Sequence, residues 1–134
     1  MNKAKTTIIQ FTFALDEPDI EDEYKLKFAQ KLLPELRNLD EVERADRAED
    51  LNPGAGAKPG FATLIGVLSA EVSIKNIKGF VGFLSERLQD KPIKLVVKLG
   101  EKEVSINVKS TQELAVVEQT VMNLMAAMES GKNG

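Results

Sequence analysis

The sequence predicts an α+β domain of order β-α-β-α-β-β-α, a small mixed sheet with its helices packed on one face, distantly ferredoxin-like. Three observations predict it. Apolar and polar residues alternate in residues 6–15 and again in two runs within 93–109, the two-residue period of strands with one buried face. Apolar residues recur at three- and four-residue spacings in 22–39, in 61–88 and from Leu114 onward, the period of helices with one apolar stripe. Glycine and proline clusters punctuate the chain between these runs.

The first strand sets Ile9, Phe11, Phe13 and Leu15 on one side and Gln10, Thr12 and Ala14 on the other. Carboxylates crowd around Pro18, from Asp16 to Glu23, and suit the positive end of a following helix. They lack the central glycine and alternate oxygen ligands of a calcium loop, so no metal site is expected there. Leu26, Ala29, Leu32, Leu33 and Leu36 give that helix its apolar face, with a kink or fresh start expected at Pro34. Residues 42–48 read as a short edge strand charged on both sides.

Residues 51–60, LNPGAGAKPG, form the clearest loop. A lysine among glycines invites comparison with phosphate cradles, but Lys58 is followed by Pro59 where the Walker pattern needs Ser or Thr. Gly54, Gly56, Lys58 and Gly60 remain candidates for a partner contact or weak anion binding, because a helix opening after Gly60 would leave backbone N–H groups free.

Residues 61–88 carry the most buriable surface. Phe61, Leu64, Ile65, Leu68 and Val72, then Ile77, Phe80, Val81, Leu84 and Leu88, predict helix in both halves. Either one bent helix or two, with a break near 72–76 where Ser73 and Asn76 offer caps, explains the pattern. Glu71, Lys75 and Lys78 interrupt the run and argue against a membrane span. Gly66, Gly79 and Gly82 suggest another backbone lying close. After Pro92, Ile93 to Leu99 and Glu103 to Lys109 alternate on either side of a turn at Gly100 to Lys102 as a β-hairpin. Ser110 or Thr111 with Glu113 opens the last helix, whose Met122, Met125 and Met128 are core filler or an adaptable docking face. One domain over 1–129 with a flexible tail at 130–134 is expected.

The 134 residues include neither cysteine nor histidine, which excludes thiol chemistry, disulfides and every imidazole-dependent catalytic arrangement. Tyr24 with a lysine and a carboxylate is the remaining catalytic possibility; the expectation is no enzyme and no cofactor. Net charge runs −5 over residues 1–50, +4 over 51–110 and −2 beyond, too little basic excess for nucleic acid. The opening residues lack a signal peptide's apolar region, so the expected location is the cytoplasm.

The loop at 51–60, the helix ending FVGFLSERLQDKP at 80–92, the strand KLVVKL, the turn at Gly100, the strand VSINV and the helix entered through STQEL together resemble the effector-associated constant component family of bacterial conflict systems. The likeness spans residues 51–128. A tryptophan often found in that family corresponds to the region of Phe83, and this chain has none. The resemblance implies a small non-catalytic adaptor accompanying effectors such as proteases in NTP-dependent defence or signalling, with an effector or NTPase-linked protein as partner. A ligand- or anion-binding regulator using the Lys58 loop is the alternative, and homodimerisation through an exposed strand or the methionine face is a further expectation.

Overall fold

The computed structural model describes residues 7–47, 66–88 and 91–133. The elements are β1 (Ile8–Leu15), α1 (Asp22–Arg37), β2 (Val42–Arg47), β3 (Leu68–Ser73), α2 (Ile77–Leu88), β4 (Ile93–Leu99), β5 (Lys102–Val108) and α3 (Ala115–Asn133). The five strands form one sheet in the order β2-β3-β1-β4-β5, every neighbouring pair antiparallel. This is an α+β fold. Through β4 the element order is that of the split β-α-β, ferredoxin-like arrangement, and β5 with α3 extends it.

Two expectations about the sheet are corrected. The first half of 61–88 does not read out as helix where it is described: residues 68–73 are β3, while the second half is α2. Leu68, Ala70 and Val72 also satisfy a two-residue period, and β1 and β2 on either side satisfy the backbone of β3, which decides between the two readings. A 3-10 turn at Ile74–Asn76, entered from an extended Ser73, carries the chain into α2. The sheet is antiparallel throughout because β3 lies between β1 and β2. Those two strands run parallel but never touch, so the expected mixed sheet does not arise.

The helices share one face of the sheet. Phe80 of α2 lies on the central strand, its ring 4.8 Å from that of Phe11 and 6.5 Å from that of Phe13. Around it Ile9, Leu36, Val72, Leu84, Leu95, Val97 and Val117 are all shut off from solvent. Helix α1 lies beside β2, and α3 beside β4 and α2. α1 runs unbroken through Pro34, which is exposed and near the last turn, where a missing hydrogen bond costs least. α3 continues through Asn133, into the stretch expected as a tail.

Close approach explains Gly66 and not Gly82. Gly66 takes φ +73°, and a Cβ there would stand 2.8 Å from the Lys25 carbonyl oxygen of α1. Gly82 faces open space. On the sheet's second face Ala14, Val67 and Val96 make a small apolar group, and Gln10 Nε2 donates to Ser69 Oγ at 3.4 Å.

Candidate functional site

The sequence candidates Gly54, Gly56, Lys58 and Gly60 lie outside the described residues. The chain leaves the described fold at Arg47 and returns at Gly66, both on the rim of a cleft of about 270 Å³ between α1 and the ends of β2 and β3. Leu26, Leu33, Pro34 and Leu68 supply its apolar wall. Arg37 on the same rim is already engaged: its Nε donates to the Ala45 carbonyl at 2.8 Å and its Nη2 to Asp46 Oδ1 at 3.0 Å.

Asp46 takes a second guanidinium, with Arg44 Nε donating at 2.7 Å. That hydrogen bond is the first cause holding the Asp46 carboxyl below the usual aspartate range; burial opposes it and Arg37 adds to it. Arg44 is raised in return, first by the hydrogen bond with Asp46 and then by its charge.

A larger surface groove, about 360 Å³, lies on the outer side of α1 where α2 comes alongside. Tyr24, Lys27, Phe28, Lys31, Leu32, Glu35 and Arg87 line it. Tyr24 and Phe28, one helical turn apart, stack with ring centroids 6.4 Å apart and planes 16° from parallel. Tyr24 is 45% exposed, so the stack offers an aromatic face to solvent. At the other end Arg87 of α2 bonds Glu35 of α1 while its guanidinium lies 5.0 Å from the centre of the Phe83 ring. The result is an aromatic floor with a mostly cationic rim, one rim lysine, Lys27, sharing its charge with Glu23 at 3.7 Å.

Such a surface suits recognition by burial of aromatic area, with the charges setting orientation. Tyr24 stands here with lysines and a carboxylate in an open groove rather than an enclosed pocket. Among the described residues no group of three or more carboxylates is placed to hold a metal ion, and no helix is long and apolar enough to cross a membrane. Of the methionine face, Met122 is exposed and Met125 packs against the core.

Sequence reasoning missed this groove. The Tyr24 and Phe28 spacing was a readable signal for an aromatic pair on one helix face. Its juxtaposition with Phe83 and Arg87 depends on two helices that are neighbours only in the folded chain. Comparison with protein-family models, with curated proteins and with solved structures finds no match to this chain.

Proposed function

We propose that the chain is a non-catalytic interaction module that accompanies effector domains in bacterial NTP-dependent conflict or signalling systems. The observation that carries this reading is the α1–α2 groove, where a stacked tyrosine and phenylalanine stand at the surface inside a rim of Lys27, Lys31 and Arg87. Buried aromatic anchors ringed by polar side chains are where protein interfaces concentrate their binding energy. The resemblance over residues 51–128 supplies the kind of partner, and the lack of histidine and cysteine supports a role outside catalysis.

The test is co-expression with effector and NTPase proteins encoded beside it, followed by purification and titration. A stoichiometric complex is expected, weakened roughly tenfold or more by Tyr24→Ala, a truncation at an exposed position that leaves the core in place. No complex with any such protein removes the adaptor reading. A complex indifferent to Tyr24→Ala moves the contact away from this groove.

A further inference from the structure

Among the described residues the two ends of the sheet are finished differently, and β5 is the open one. It is the terminal strand, paired on its inner side with β4 from Leu99↔Lys102 to Ile93↔Val108 in unbroken register. The turn joining them has two residues, Gly100 and Glu101, with Gly100 at φ +63° as a tight hairpin requires. In such a hairpin the residues flanking the turn exchange both backbone hydrogen bonds, as does every second pair beyond. Val104, Ile106 and Val108 therefore bond inward to β4. Glu103, Ser105 and Asn107 direct their backbone N–H and C=O groups outward.

We infer that β5 is a self-association edge, at which two copies of this chain join β5 to β5, antiparallel about a twofold axis through Ser105, into one continuous sheet. Ser105 is the central residue of the seven in β5, so this register alone overlaps the whole strand. It sets Ser105 opposite itself, with outward N–H and C=O groups meeting at the axis. Lys102 falls opposite Val108 of the second copy in this register, and the remaining side chains are complementary. Glu103 falls opposite Asn107 of the second copy, and Glu101 opposite its Lys109. On the helix-covered side Val104 meets Ile106 twice; both are half-buried at the border of the core and would be covered. Centring the axis on Glu103 would instead oppose two carboxylates. This inference stands independently of the adaptor reading.

Sedimentation equilibrium of the whole chain tests it. The expected species is a dimer of twice the 14.7 kDa chain mass. Ser105→Pro removes the outward N–H at the axis and leaves the β4 ladder intact, since proline is tolerated at an edge position whose N–H faces outward. It should raise the dissociation constant at least tenfold with an unchanged circular dichroism spectrum. Ser105→Lys, opposing two ammonium groups, should do the same and does not depend on proline being accommodated. Because the chain has no cysteine, Ser105→Cys reports the register directly: it should cross-link two copies under mild oxidation, while Lys102→Cys should not. A monomer throughout the concentration range overturns the inference. So does a dimer that both Ser105 variants leave intact, or one that cross-links through Lys102→Cys in place of Ser105→Cys.

Discussion

The sheet has two edges of similar length and opposite finish. β2 shifts register between Val42 and Arg44 and carries Glu43, Arg44, Asp46 and Arg47. Arg37 reaches round from α1 to fill the Ala45 carbonyl and then hold Asp46, so a side chain takes the place that another strand would need. β5 keeps one register with β4 along its whole length, and its reverse sets Val104 against Ile106 and Glu103 against Asn107. A bulge, a row of charges and a covering side chain are the means by which natural sheets prevent edge pairing. Their concentration at one edge is the physical ground for assigning association to the other.

Both edges rest on the same core, and disturbing that core should reach them together. Phe80→Ala should cost about 3–5 kcal/mol, because the ring is wholly buried between α2 and β1 and the cavity cannot collapse against a central strand. Amide exchange should then speed up at β2 and β5 alike. An effect confined to one edge would mean that the edges rest on separate supports. Gly66→Ala should be smaller and one-sided, roughly 1–3 kcal/mol, since it puts a side chain at positive φ against the Lys25 carbonyl. Exchange should rise in β2 and β3 and stay unchanged in β5.

How far these edges could be read from the residues differs in the same way. The hairpin β4–β5 was legible because Lys94 and Lys98 alternate with the buried Ile93, Leu95, Val97 and Leu99, even though Val96 is buried on the second face. β3 was not. Leu68, Ala70 and Val72 do alternate with Ser69, Glu71 and Ser73, but these six residues sit in a longer stretch where Phe61, Leu64, Ile65, Leu68 and Val72 also keep helix spacing, and the competing period hid the strand. Missing β3 then left the expected sheet one strand short. The groove was hidden for another reason: Glu35 and Arg87, which tie its two helices, are 52 residues apart, and nothing local announces their meeting.

The guard on β2 can be removed directly. Arg37→Ala deletes the donor to Ala45 and should cost about 1 kcal/mol, the net worth of a hydrogen bond whose acceptor water can then reach. Its more telling effect is on association. With the Ala45 carbonyl uncovered, a second contact through β2 should appear as species larger than a dimer at high concentration. A variant that loses stability without any change in molar mass would show that Arg37 only supports β2 and does not guard it.

The smallest expected effect isolates the charge within that guard. The folded Asp46 carboxyl is held below its ordinary range by the hydrogen bond from Arg44, so it binds protons less readily folded than unfolded. Its contribution is therefore complete above the unfolded aspartate range and is lost as pH falls through the lower folded value. Against Asp46→Asn, which keeps an oxygen toward the arginines but not the charge, wild type should be more stable near neutrality by under about 1 kcal/mol, as ion pairs this open to water are weak. The gap should hold to mildly acidic pH, close on further acidification, and shrink in high salt at neutral pH. Thermal melts of the two proteins across that range measure it. A gap that widened on acidification would mean that Asp46 is easier to protonate in the folded chain, and the guard would then rest on Arg37 and the Ala45 carbonyl alone.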